Sequence, residues 1–454
     1  MAFLGDLQRW LDDAVARYDI PGAAVAVGQG AELAEAASGV LNRNTGVPAT
    51  PDTVFQIGSI TKVWTAALVM QLVDEGLFDL DEPVRRYLPG FAVLDAEASR
   101  TVTPRQLLSH TGGFVGDLFE DTGMGDDALD RYLEFLSGTA DQIHRPGELF
   151  SYANSGYCVL GALIAKLRGS TWEQAIRDRL IAPIGADHTA LFAHEAIMFR
   201  AAVGHTKPEN SDKATVFPRW VMPRSNAPAG ATMCAAPRDL VRFGRMFLSG
   251  GLAEDGTRLL SPDSVAAMRT PQVQVPGPRS RFAVAWGLGF QLFDWNGTQV
   301  IGHDGATIGQ LSTWRVLPEH DLVVAASMTG EVIAGLFDDV LVPAILETTG
   351  VQVPPRPVPP PQPTPVDTAP YTGRYRGAGG DWQVIPEDGG LRITLHPDEQ
   401  AQALGAITET ERYVPYEGHT FIGADSHDGH HYLITFLDNG RYLYTGRAIP
   451  KAQP

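Results

Sequence analysis

Gly58-Ser59-Ile60-Thr61-Lys62-Val63-Trp64-Thr65-Ala66-Ala67-Leu68-Val69-Met70-Gln71-Leu72-Val73-Asp74-Glu75-Gly76 is the stretch around which the chain organises. Glycines frame it, so the spacing predicts a helix over 59–75, with Gly76 at its closing position. Apolar side chains fall on nearly every face, and a helix of that kind is buried on most sides. A lysine inside it calls for a reason. Ser59 and Lys62 are three residues apart, nearly one turn, so hydroxyl and amine face the same way. The helix N-terminus favours negative charge developing on oxygen. Burial lowers a lysine pKa, which lets the amine accept a serine proton. The chain has only five lysines, and no other serine precedes a lysine by three. The plainer reading, a capping serine and a surface lysine, conflicts with the apolar neighbours.

Two more groups of residues carry chemistry. Tyr152-Ala153-Asn154 stands on a turn between Pro146-Gly147 and a predicted helix, Ser155 to Leu167. A phenol beside a lysine ammonium is stabilised as phenolate and shuttles protons, and Asn154 offers both a donor and an acceptor. His303-Asp304-Gly305 follows a short predicted strand and precedes Ala306. Glycine there allows close backbone approach, and strand-edge N–H groups receive an oxyanion. His-x-Gly alone is unspecific: it recurs at His110-Thr111-Gly112 and His427-Asp428-Gly429.

Taken in order, Ser-x-x-Lys, Tyr-x-Asn about ninety residues later and His-x-Gly before the last strands resemble the penicillin-recognising serine hydrolases, especially the class C β-lactamase-like branch. Leu107-Leu108-Ser109-His110-Thr111-Gly112-Gly113 resembles that branch's signature loop, and Phe150-Ser151-Tyr152 also fits. The resemblance covers roughly residues 1–350. It implies an α/β (α+β) fold, an antiparallel sheet flanked by helices plus a helical subdomain, with the site at their junction. It implies Ser59 as nucleophile, Lys62 and Tyr152 as the base pair, Asn154 as positioner, and the backbone N–H groups of Ser59 and Ala306 as oxyanion hole.

One departure matters. The family's lactamases and transpeptidases usually place a cationic motif such as Lys-Thr-Gly where this chain has His303-Asp304-Gly305. A neutral imidazole beside an aspartate is a poorer carboxylate clamp. Efficient β-lactam hydrolysis is therefore disfavoured. Branches with histidine there include esterases, D-aminopeptidases and stand-alone thioesterases that cyclise nonribosomal peptides, and several add a small lipocalin-like barrel. The expectation is a serine hydrolase working through an acyl-serine on ester or peptide-like amide substrates, of esterase or D-peptidase type. A peptide cyclase or thioesterase is the alternative, and a non-catalytic peptide or β-lactam binder is the rival from another class. Gly305 and Arg447, the latter in a predicted final strand Tyr442 to Arg447, are the candidate substrate contacts. Arg447 would take a substrate carboxylate bidentately if the barrel leans over the site. The plainer reading is an exposed strand-end charge.

The length of 454 residues suggests two domains, and the clearest boundary is 351–370, where nine of twenty residues are proline. This is a semi-rigid spacer whose Pro354–Pro365 portion spans on the order of 35–40 Å. The division is thus 1–350 catalytic, 351–370 linker and 371–454 a small antiparallel barrel. Asp388-Gly389-Gly390 and Asp438-Asn439-Gly440 are its turn signals. In the larger part, Pro343 should kink a closing helix over 335–347, and Ser170 with Glu173 should cap another. The N-terminal helix is amphipathic through Phe3, Leu4, Leu7, Trp10, Leu11, Ala14 and Val15.

The net charge of −18 and the absence of a basic stripe argue against nucleic acid. No apolar run reaches membrane-span length, and no signal peptide is visible, so a soluble cytoplasmic protein without membrane partners is expected. Cys158 and Cys234 lack zinc spacing, and His419, His427, His430 and His431 lack a fixed ligand spacing. No metal or cofactor is expected, only a small-molecule or peptide acyl substrate; the oligomeric state stays open. The acidic stretch Asp117, Glu120, Asp121, Asp126, Asp127 reads as a mobile rim beside the cleft.

Overall fold

The computed structural model describes residues 4–208, 211, 213–278, 281–377, 379–403, 406–427 and 429–452. Phe3 and Asp428, used in the sequence reading, lie outside them. Residues 22–329 supply a nine-stranded sheet in which every pair with a recorded register is antiparallel. At its centre, Gly22–Gln29 pairs with Leu322–Thr329, which pairs with Gln310–Leu317, then Thr298–Thr307.

Alternation along these strands sorts the core into two layers. Val25, Val324 and Ala326 pack under the N-terminal helix Leu7–Arg17 and the C-terminal helical segment, against Leu7, Leu11, Val340 and Ile345. Ala26, Val323 and Ala325 face the opposite layer, where the helix Thr61–Asp74 is buried. There Trp64 stacks on Phe243 at 3.8 Å between ring centroids. The helix carries no amphipathic stripe because it has no solvent face: Thr61 to Gln71 are all buried. Its first turn, which carries Lys62, is preceded by a 3₁₀ turn, Gly58–Ile60, so the nucleophile candidate sits just before the α-helix rather than inside it.

Several local expectations shift. His303-Asp304-Gly305 does not follow the strand but lies within it, since pairing continues from Thr298 to Thr307. Thr171, not Ser170, caps the helix Trp172–Ile176, accepting from Gln174 N–H. The closing helix breaks one turn before Pro343, as a π-turn at Phe337–Leu341. Proline there lacks the N–H that would continue an α-ladder, and the wider turn absorbs the mismatch.

After the linker, eight strands pair in sequence order between Gly373 and Pro450. A bridge between Tyr375 and Lys451 brings the first strand to the last and nearly closes the barrel. Tyr375, Leu391, Ile393, Phe421, Phe436 and Leu443 fill it. Glu409–Glu417 is a strand that the sequence reading lacks, because its charged residues hide a short buried run at Tyr413 and Val414. The expected strand 442–447 is two, Tyr442–Tyr444 and Ala448–Pro450, so Arg447 stands on the turn between them. The linker is tethered as well as extended: Arg356 donates to Asp338 at 2.6 Å and to Ala334 O at 3.0 Å.

Candidate active site

The Ser59 turn is built where two segments meet at backbone distance. Gly58 has φ +52°, and a methyl group on it would lie 2.5 Å from Ala306 N. A methyl on Gly305 would lie 1.9 Å from Ile57 O and 3.1 Å from Ser59 N. Side chains at either position would push the strand away from the turn. The amides of Ser59 and Ala306 therefore belong to touching segments, and Ser59 itself is partly exposed while its surroundings are buried.

Lys62 is fully buried, and its Nζ has three acceptors: Ser59 Oγ at 2.9 Å, Asn154 Oδ1 at 2.6 Å and Ala229 O at 2.5 Å. Burial lowers its pKa to about 7; Arg447 pushes the same way, while Cys158 and Asp117 oppose. An ammonium donates to all three acceptors. A neutral amine has two donors and one lone pair, which is then available to the Ser59 hydroxyl proton.

Burial raises the Tyr152 pKa above the usual tyrosine value, although the neighbouring Ser59 hydroxyl and Arg447 oppose it. The phenolate expected from the sequence is thus not the resting form. Lys62 Nζ lies over the ring, 5.0 Å from its centroid, where it meets the π face. Near neutral pH the amine is therefore the group with an available lone pair, and the phenol beside it keeps its proton.

Asn154 opens the helix Asn154–Arg168 and links two charged groups. Its Oδ1 faces Lys62 and its Nδ2 donates to Asp117 Oδ1 at 2.6 Å. Asp117 in turn is gripped by Arg447 through Nε to Oδ2 and through Nη2 to Oδ1 at 3.2 Å. Arg447 is therefore a paired charge and not a free strand-end one, with its side chain 40% exposed. Nor are those two nitrogens free for a substrate carboxylate, because Asp117 already occupies them. The barrel is held at this point by main chain too: Tyr152 N–H donates to Gly446 O at 3.0 Å, and Ala448 N–H donates to Ser151 Oγ at 3.1 Å.

His303 is buried, with Nδ1 2.5 Å from Asp304 O. A carbonyl only accepts, so Nδ1 carries the proton and Nε2 presents a lone pair, unpartnered among the described residues. Burial, helped by Lys62, lowers its pKa to about 3, so the ring is neutral at working pH. Asp304 turns to Arg315, 2.8 Å away, and takes a bond from Thr313 at 2.7 Å.

Sequence reasoning passed over two residues. Asp117, read from the sequence as part of a mobile rim, joins Asn154 to Arg447; its place in the acidic run is the sole sequence signal for it. His110, in the quoted loop, has φ +57° and stacks on Tyr152 at 4.3 Å, with Nδ1 accepting from Ala153 N–H at 3.0 Å. The C-terminal histidines go elsewhere: His419 bonds Tyr371, His427 pairs with Glu411, and His431 meets Gly423 O. Both cysteines are buried and free. Among the described residues no helix is long and apolar enough to cross a membrane.

An antiparallel sheet with a serine at the mouth of a buried helix, its hydroxyl held between an amine and a phenol, defines a serine hydrolase of the β-lactamase and penicillin-binding-protein type. Residues 7–339 match the Beta-lactamase family, and the chain belongs to it. It is 44% identical over 364 residues to "Penicillin-binding protein 4" of Amycolatopsis lactamdurans, covering 80% of this chain and 95% of that one. The crystal structure of SurE superposes with TM-score 0.77 at 28% identity, covering 98% of both chains. D-amino acid amidase from Ochrobactrum anthropi SV3, complexed with L-phenylalanine amide, gives TM-score 0.63 at 27% identity over 75% of this chain and 97% of its own.

Proposed function

We propose that this chain transfers acyl groups through an acyl-Ser59 intermediate, acting on amides or esters of peptide-like substrates. The observation that carries the reading is the pairing of Ser59 Oγ with a fully buried Lys62 whose pKa sits near 7. In its neutral form the amine takes the Ser59 proton as Oγ attacks the carbonyl carbon. The Ser59 and Ala306 amides face the developing oxyanion. Tyr152, protonated and beside Oγ, hands a proton to the leaving nitrogen or oxygen and is recharged through Lys62. Water or an amine then attacks the acyl-serine, with the same groups working in reverse. Asn154 and Asp117 hold Lys62 in register and Arg447 balances Asp117. Gly305 contributes by its lack of a side chain, and His303 offers Nε2 as an acceptor for a substrate N–H.

The D-amino acid amidase relatives, and a solved SurE with D-Leu, support a D-configured residue on the acyl side. Because His303 is neutral, the cationic clamp of efficient β-lactamases has no counterpart at this position. A second reading, an amine acceptor from the same peptide giving a ring, is supported by the barrel packed against the Tyr152 main chain, since the histidine-bearing branches that this chain resembles and that add such a barrel include peptide-cyclising thioesterases.

Labelling with a fluorophosphonate and mapping the adduct tests the core of this. An adduct on Ser59, with D-aminoacyl amides or esters turned over and Ser59→Ala inactive, is the expected result. Turnover that survives Ser59→Ala refutes it. A peptidyl thioester yielding a product lighter by one water than the acid selects the cyclising form.

A further inference from the structure

Against Tyr152 and His303 lies a cavity of about 440 Å³, which Arg447 also lines. Catalytic domain, linker and barrel all contribute to it. Its walls are aromatic (Trp286, Phe293 and Phe337 among them), yet its charged side chains are nearly all of one sign. Among the described residues these are Arg281, Asp304, Arg315, Arg356 and Arg447. In a chain of net charge −18 this is a local inversion.

The carboxylates behind the wall do not restore balance. Asp304 serves Arg315 and Asp117 serves Arg447, but Asp338 alone serves both Arg281 and Arg356. Arg281 approaches Asp338 at 2.6 Å without the alignment of a hydrogen bond, so its Nη2, buried, has no hydrogen-bond partner among the described residues. Arg315 Nε is likewise buried and unpartnered, in a side chain only 7% exposed. The guanidinium faces are taken up by rings: Arg315 lies 4.3 Å from the Phe293 centroid and 5.5 Å from Phe337, and Arg281 lies 4.9 Å from Phe337. Stacking fixes the planes. Arg315 Nη1 and Nη2 are held by Trp314 O and Asp304, and Arg356 by Asp338 and Ala334 O, so Arg281 Nη2 and Arg315 Nε are the edge groups left to bind, with Arg356 adding charge.

We propose that this cavity is a substrate subsite for an apolar residue bearing a free carboxylate, with Arg281, Arg315 and Arg356 as its recognition end. The strand register places this end. Arg315 pairs with Gly302 and shares its face of the strand, whereas Gly305, an odd number of residues away, turns the opposite face to Ser59. The cavity thus leads from Tyr152 and His303 to arginines on the other face of the sheet, so the carboxylate belongs to a part of the substrate remote from the reacting carbonyl. The proposal deepens the acyl-transfer reading and depends on it only for the identity of the cavity's neighbour.

The test uses Ser59→Ala full-length protein, so that binding is read without chemistry. N-acetyl-phenylalanine, as each enantiomer, and the corresponding N-acetyl-phenylalaninamides are titrated calorimetrically. The carboxylates are expected to bind at least tenfold tighter than the amides. Arg356→Gln should bring that ratio to within about threefold. Arg281→Lys, which keeps the charge but loses the planar fork, should leave it in between. Melting curves show whether each variant is folded, and the comparison of carboxylate with amide in Ser59→Ala stands whatever the arginine variants do. An amide that binds as tightly as its acid overturns the proposal. Failure of the acyl-serine reading shows separately, as the absence of a fluorophosphonate adduct on Ser59.

Discussion

Replacing Lys62 by methionine should abolish acylation while making the protein no less stable near neutral pH. The ordinary lysine value of 10.5 falls to about 7 in the folded chain because the amine is fully buried. At about 1.4 kcal/mol per pH unit, that depression opposes folding by roughly 5 kcal/mol at and below pH 7. Methionine has no such term. The substitution leaves Asn154 Oδ1 and Ala229 O without the donor they now have, at about 1–3 kcal/mol each. The two effects nearly cancel at pH 7 or favour the variant slightly. The sign of the pH dependence is unambiguous. Between 7 and 10.5 the unfolded chain holds a proton that the folded one has lost, so wild-type stability rises with pH across that window and is flat below it. From pH 7 to pH 9 the wild type should therefore gain about 2–3 kcal/mol on Lys62→Met, measured by urea unfolding at each pH. Single-turnover acylation supplies the second reading of the same proton. With a neutral ester it should fall about tenfold per unit below pH 7 and level off above it. In Lys62→Met it should be at least about a thousandfold slower. A stability difference that does not change between pH 7 and pH 9, together with acylation flat from pH 5.5 to 9, refutes the assignment of Lys62 as base.

The charges around Lys62 give a pair of opposite shifts. Arg447→Gln removes a positive neighbour and should move the acylation limb to higher pH, whereas Asp117→Asn should move it lower, as read from pH–rate profiles. Gly305→Ala forces a methyl against Ile57 O, and acylation should drop at least about a hundredfold while far-UV circular dichroism is unchanged. Arg224 and Glu173, each 8% exposed, form a buried pair at 2.8 Å. Arg224→Ala strands that carboxylate and should destabilise the fold by about 3–5 kcal/mol in urea unfolding, with a smaller loss for the double variant.

How much of this was legible in the sequence depended on where the physical cause lay. Ser59, Lys62, Tyr152 and Asn154 were readable because a lysine within an apolar helix and a tyrosine on a Gly-bounded turn are local contradictions. The turns at Asp388-Gly389 and Asp438-Asn439 were readable for the same reason: their positive φ angles need those residue types. Asp117 was not, because its meaning comes from Arg447, 330 residues away. The state of Tyr152 was missed too, since burial, a property of the whole assembly, outweighs the neighbouring charge. Arg447 was placed on a strand because Tyr-x-Tyr alternation continues into it. Only the barrel's closure shows that the chain turns at Thr445–Arg447.

The bond from Tyr152 N–H to Gly446 O has a bearing on how relatives are compared. It joins two main chains, so no side chain records it. Alanine scanning would miss it as well, because at Gly446 it would report the strain of a residue at φ +92° and not the contact. The barrel's main-chain hold on Tyr152 is a matter of shape rather than of spelling. An ester in place of the Tyr152 amide, made by semisynthesis, would silence it where no codon change could.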